Sequence, residues 1–139
     1  MQVSKVQPSE VLFFLALTFG LADNPPAGVQ GAVDFIERVG RDRGIEDPIH
    51  MTVAVSDGQK VWAFRYSSRG RPSSLFYSSK VTTLRAQYPD NPIFHTLSNE
   101  TRLVVSEPLS DLAGVWSEVP PSSYGVIGNG QDELKTFTR

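Results

Sequence analysis

Residues 51–66 read MTVAVSDGQKVWAFRY, and this stretch decides the fold. Larger apolar side chains stand at every second position on both sides of Asp57 and Gly58, a pair that hairpin turns favour. The side chains expected to share one face are Met51, Val53 and Val55 in the first strand and Trp62, Phe64 and Tyr66 in the second. We therefore predict a β-hairpin whose aromatic face is packed against other parts of the chain.

A first helix is expected before this hairpin. An apolar run over residues 11–17 follows Ser9 and Glu10. A cap near Pro8 or Ser9, with the acidic Glu10 in the first turn, is typical of a helix start. Because this helix is apolar nearly all round, we expect it to be buried, either between a sheet and other elements or against a partner chain.

A second helix is expected to begin after Asn24, which can cap it, and to run to about Arg43 with Gly44 as its C-terminal stop. Its apolar residues recur at three- and four-residue steps, and charged residues such as Glu37 occupy the other side. This pattern predicts an amphipathic surface helix.

Short elements are expected after the hairpin. They are a third strand at 75–77, a short helix at 81–87, and strands at 102–105, 115–119, 124–127 and 134–137. The third strand is expected to continue the hairpin as a meander. Helices followed by a run of hairpin-linked strands predict an α+β fold, with two N-terminal helices and a mostly antiparallel sheet. The length is typical of a single domain, residues 1–139.

Composition argues against several classes of function. A formal net charge of -2 gives no support to nucleic-acid binding. The absence of cysteine excludes disulfides, thiolate catalysis and cysteine-bound metals within these 139 residues. The apolar run at 11–21 is too short to cross about 30 Å of hydrocarbon and lacks the basic start of a secretory signal. We therefore expect no membrane insertion and a cytoplasmic location.

Several segments together resemble the class II glutamine amidotransferases, in particular their stand-alone subgroup. Residues 53–68 and 74–78 look like the central strands of that subgroup, and residues 103–109 and 116–120 are similar to later segments of it. The matching part corresponds to the C-terminal half of the family's domain. The resemblance implies half of a four-layer αββα sandwich, the fold of N-terminal-nucleophile hydrolases, in which two antiparallel sheets stack between helical layers.

The same resemblance shows what chemistry this half lacks. The family uses an N-terminal cysteine, whose own α-amine is the base for the thiol that attacks the side-chain amide of glutamine. This chain contains no cysteine, and its second residue is Gln2. The resemblance places the family's oxyanion-hole Asn-Gly and its substrate-holding arginine in the other half. We therefore expect no catalytic residue in this chain.

One family site residue is expected within the chain. It is an aspartate of a Thr-Asp-Ser-Glu-like motif at the head of the first helix, where it binds the α-amine of glutamine. Here the motif reads Gln7, Pro8, Ser9 and Glu10, so that Pro8 replaces the aspartate and cannot pair with an ammonium group. Ser9 and Glu10 are candidate substrate-binding residues, with a capped helix start as the alternative. Alternatively, residues 1–7 are unrelated to the family.

Arg65 is the remaining candidate for substrate binding. With Arg69 and Arg71 it forms a cationic cluster around the second hairpin strand. A planar guanidinium can hold a carboxylate or phosphate. A solvated loop with ordinary surface charge is the alternative.

The other polar residues point away from catalysis. His50 and His95 have no His, Asp or Glu at metal-ligand spacing, so neither a zinc site nor a triad is expected. Glu107 is expected to be a loop residue, although a carboxylate at a strand end can also act as a general acid or base. Residues 128–130 lack the third glycine of a dinucleotide motif and are expected to form a turn.

Three functions stay open. The first is a class II glutamine amidotransferase-like protein, whose family hydrolyses glutamine or a γ-glutamyl amide and releases or transfers ammonia, but which is inactive as this chain alone. The second is a non-catalytic partner subunit that completes a separately encoded N-terminal half or associates with a second copy. The third is a binding module for small γ-glutamyl compounds. No metal or organic cofactor is expected.

Overall fold

Two helices open the chain and strands follow them. The computed structural model describes residues 7–112, 114–128 and 132–137. Its elements, in chain order, are α1 (Pro8–Thr18), α2 (Pro25–Asp42), β1 (His50–Ser56), β2 (Val61–Ser67), β3 (Phe76–Ser78), α3 (Val81–Gln87), α4 (Ile93–Thr96), β4 (Val104–Val105), β5 (Trp116–Glu118), β6 (Ser123–Ile127) and β7 (Glu133–Thr136). This order confirms the predicted α+β fold. The sequence gave no signal for α4, and the part of the predicted turn at 129–130 lies outside the described residues.

The strands form two antiparallel sheets. The first has the order β1-β2-β6-β7 and the second has the order β4-β3-β5. The hairpin of β1 and β2 is confirmed, with Ser56 opposite Val61. The predicted meander is wrong, because the second neighbour of β2 is β6, and β3 belongs to the second sheet. A period of two predicts a strand but does not say which sheet the strand joins.

Three apolar clusters separate four layers. The first lies between α1, α2 and the first sheet, and includes Phe64 and Tyr66 of β2. The second lies between the sheets, where Ala63 and Ile127 meet Tyr77. The third joins α3 and α4 to the second sheet. The layers are therefore helix pair, sheet, sheet and short helices, as the resemblance implied.

Helix α2 begins and ends as its sequence predicts. The side-chain oxygen of Asn24 accepts a hydrogen bond from the amide of Ala27 at 3.2 Å, and Gly44 takes a positive φ of 74° after the last turn. The placement of Glu37 on the polar side was wrong. Glu37 is buried, and one of its carboxylate oxygens accepts a hydrogen bond from the Tyr66 hydroxyl at 2.5 Å. This bond fixes α2 to β2.

Helix α1 is not buried as we expected. Ala16 is its only residue in the buried core, and most of its large apolar side chains are exposed in this chain. The exposed side chains of α1 and the residue after it are Val11, Phe13, Phe14, Leu17 and Phe19. The helix forms because it packs on α2 and the first sheet through its remaining side.

The hairpin turn is held by Asp57. Its Oδ1 accepts hydrogen bonds from the amides of Gln59 and Lys60, both at 2.9 Å, and Gly58 adopts a φ of 93°. These two amides stabilise the charged form of the side chain, with Lys60 contributing most, and hold the pKa of Asp57 below its ordinary value of 3.8. The residue is a turn former, as the sequence predicted.

The Asp57 turn predicts a pH-dependent difference between the wild type and Asp57→Asn. Because the folded pKa is depressed, the carboxylate stabilises the fold above its unfolded pKa and loses this effect as pH falls through the folded pKa. The difference in urea midpoint should therefore be largest above about pH 5 and should shrink below about pH 4. A difference that stays constant across this range would contradict the prediction.

Candidate functional site

A groove runs between α1 and β1. Three adjoining cavities of about 280, 220 and 420 Å³ lie along it. They are continuous because neighbouring cavities share lining residues, namely Ser9, Leu12 and Val53 for the first two and Phe13, Leu21 and Val55 for the last two. The groove follows the whole length of β1.

Two of the three predicted substrate-binding residues lie at one end of this groove. Helix α1 starts at Pro8, with Gln7 at the cap position, and no side chain caps its first turn. The expected helix start is confirmed, but the expected side-chain cap is not formed. Ser9 lines the first two cavities, and Glu10 is exposed in the first turn.

The polar groups lining the first cavity are neutral or weakly basic. They are Ser9, Thr52 and His50, whose Nδ1 lies 2.8 Å from the Ser67 hydroxyl. Among the described residues no carboxylate or guanidinium lines this cavity, and Pro8 contributes only an apolar ring. A free amino acid carries both an ammonium and a carboxylate, which are held best by charged partners. The cavity by itself therefore lacks the groups that such a ligand needs.

Arg65 lies on the other side of the first sheet. It is 8% exposed. Its Nε donates to the Ser73 carbonyl at 2.9 Å, and its Nη1 donates to the Val119 carbonyl at 2.7 Å and to the Glu118 carboxylate at 2.9 Å. Pro72 accepts a further bond at 3.4 Å. The guanidinium is thus used to join the two sheets, and it is not part of a solvated loop.

The structure does not bring the predicted binding residues together. Ser9 and Glu10 belong to the helical layer on one face of the first sheet, whereas Arg65 points from β2 into the space between the sheets. Arg69 is exposed and pairs instead with Asp47 at 3.1 Å. A ligand that contacts all three predicted residues at once would have to cross the sheet.

The described residues contain no group of three His, Asp or Glu side chains that could hold a metal ion. The ring of His95 lies 3.1 Å from the Pro89 carbonyl, away from any carboxylate contact in its hydrogen bonding. Glu107 is exposed next to β4. In the same part of the chain, no helix is long and apolar enough to cross a membrane.

One further ionic contact was not visible in the sequence. Arg102 makes a two-pronged contact with Asp132, at 2.9 and 2.6 Å, and also donates to the Ser78 carbonyl. The partners are thirty residues apart in the chain, and no motif links them. This contact ties the segment before β4 in the second sheet to the segment before β7 in the first.

The same fold occurs in a solved structure of a glutamine aminotransferase class-II domain protein from Silicibacter pomeroyi. That structure superposes with a TM-score of 0.74 at 30% sequence identity, over 97% of this chain and 53% of the other. This chain therefore spans about half the length of that protein. The sequence matches no family model and no curated protein. The structural likeness supports the resemblance found in the sequence.

The position of Arg65 predicts a large loss of stability in Arg65→Met. The change removes the donors of carbonyl oxygens held between the sheets, and we expect the free energy of unfolding to fall by about 2–4 kcal/mol. The matched control is Arg69→Met, whose side chain is 65% exposed and whose effect should stay within about 0.5 kcal/mol. Urea unfolding of both variants measures this, and equal losses would contradict the buried role of Arg65.

The two helix starts predict different costs for removing a polar side chain. Asn24→Ala removes the cap of α2 and should cost about 1 kcal/mol. Ser9→Ala removes no capping bond at α1 and should change the unfolding free energy by less than about 0.5 kcal/mol. Urea unfolding compares the two, and a loss at Ser9 as large as that at Asn24 would show that Ser9 has a structural role.

Proposed function

We propose that this chain is one half of a class II glutamine amidotransferase-like domain and does not hydrolyse glutamine by itself. The observation that carries the proposal is the likeness to the Silicibacter pomeroyi protein, which extends over 97% of this chain but only 53% of that one. The sequence resemblance assigns this chain to the C-terminal half. The proposed function of the completed domain is hydrolysis of glutamine or a related γ-glutamyl amide, with release or transfer of ammonia.

The proposed inactivity follows from the available nucleophiles. Attack on a carboxamide by the route of this family needs a thiolate next to a base, and these 139 residues contain no cysteine. The one hydroxyl found beside a histidine is that of Ser67, which is 3% exposed and accepts a hydrogen bond from the Arg69 amide. A substrate cannot reach an oxygen so enclosed without displacing the strand around it.

A role as partner subunit is favoured by the surface of α1. Monomeric proteins rarely expose a large contiguous apolar patch, yet Phe13 and Phe14 are 47% and 57% exposed on this one helix. The complementing half of the domain would supply the nucleophile and cover part of this surface. In this proposal the present chain contributes the framework, and Ser9 and Glu10 lie at the end of the groove where the two halves meet.

The proposal predicts no ammonia release when the purified chain is incubated with glutamine, relative to a heat-denatured control. Co-expression with a tagged polypeptide comprising the unmatched half of the Silicibacter pomeroyi protein should allow the two to co-purify. A thiol-directed glutamine analogue should then label only the added half. Glutamine turnover by this chain alone contradicts the proposed inactivity, and failure to co-purify contradicts the partner role.

A further inference from the structure

We propose that the free edge of β1 docks one β-strand of the complementing half, whose alternate apolar side chains enter the groove beneath α1. The inference rests on the proposed function, because the complementing half supplies the strand. It assigns the site of contact, the type of element that binds there and the pattern of side chains that fits it.

The backbone of β1 is prepared for a second strand. Strand β1 lies at the end of its sheet, and no described strand pairs with its outer edge. Ile49 and Asp57 make the ladder bonds at its two ends, with Ser68 and Lys60 respectively. Because ladder bonds alternate along an antiparallel pair, the odd-numbered residues between them bond to β2, and the backbone groups of Thr52 and Ala54 point outward.

The opposite edge of the same sheet is different. Strand β7 carries Glu133 and Lys135, both exposed and paired with each other at 3.3 Å. Charged side chains on an edge strand discourage pairing with another strand. Strand β1 has no Asp, Glu, Lys or Arg from His50 to Ser56. Of the two edges, β1 is therefore the one left open to pairing.

The groove beside this edge is lined mostly by apolar side chains. Leu12, Phe13 and Ala16 of α1 form one wall, and Val53 and Val55 of β1 form the other. The two valines are only partly buried although they pack against the first apolar cluster. A strand hydrogen-bonded to Thr52 and Ala54 would place every second side chain on the same face as Val53 and Val55. Apolar residues at those positions would fill the groove.

A strand fits this site better than a helix, because a helix has no backbone groups left to bond to the outward amides of β1. The length comparison indicates where such a strand comes from. The Silicibacter pomeroyi protein is nearly twice as long as the matched part, which leaves ample chain for a strand that spans the seven residues of β1.

Amide hydrogen exchange tests the inference directly. In the isolated chain at low concentration, the amides of Val53 and Val55 should exchange slowly and those of Thr52 and Ala54 quickly. In the complex with the unmatched half of the Silicibacter pomeroyi protein, the Thr52 and Ala54 amides should slow by at least about tenfold.

A matched pair of proline variants provides a second measurement. Ala54→Pro removes an outward N–H without breaking a bond to β2, and should weaken co-purification about tenfold. Leu134→Pro is the control, because Leu134 has an outward N–H on β7 by the same alternation, and it should bind as the wild type does. If Ala54→Pro does not fold, Phe13→Ser in the groove replaces it, with the exposed Ile93→Ser on α4 as its control.

Each other outcome overturns the inference. Slow Thr52 and Ala54 amides in the dilute isolated chain would mean that its own residues cover the edge. Slowing that depends on the concentration of this chain alone would mean that a second copy binds there. A complex in which these amides stay fast, or in which Ala54→Pro binds normally, rejects strand docking but leaves the proposed function standing. Absence of any complex rejects both.

Discussion

The buried guanidinium of Arg65 is the interaction on which the two-sheet architecture depends. A charge removed from water costs several kcal/mol unless its donors are satisfied, and here they are satisfied by Ser73, Val119 and Glu118. Two of these acceptors belong to the strand end of the second sheet, and Ser73 belongs to the connection that leads into it. The next residue, Tyr66, faces the opposite way and bonds to Glu37 of α2. Strand β2 thus fastens a layer on each of its faces.

The outer helix has no comparable anchor. Helix α1 buries one side against α2 and the first sheet, while its aromatic side chains remain exposed next to the open edge of β1. An apolar helix face and an unpaired strand edge are each unfavourable in water, for different reasons: one orders or excludes water around apolar surface, and the other leaves a row of backbone groups without partners in a sheet. A single added strand would relieve both. This coincidence links the shape of the chain to the proposal that it is half of a domain.

The sequence predicted the elements well where local chemistry selects them. Asp57 forms the hairpin turn, Asn24 caps α2, and Gly44 ends it, since each acts on backbone groups within four residues. Prediction failed where a distant partner decides. Glu37 was placed on the polar side of α2 because its bond to Tyr66 spans twenty-nine residues, and β3 was assigned to a meander although its neighbours are β4 and β5.

The candidate site shows the same division. By itself the sequence determined the residue types: no cysteine, Pro8 at the motif position, and an alternating hairpin that resembles the class II amidotransferases. Only the tertiary structure decided that Ser9 and Arg65 stand on opposite faces of one sheet, that the arginine joins two sheets, and that α1 and β1 form an apolar groove. The physical reason is that turns, caps and periodicity act within a few residues, whereas burial and charge pairing depend on which distant segments meet.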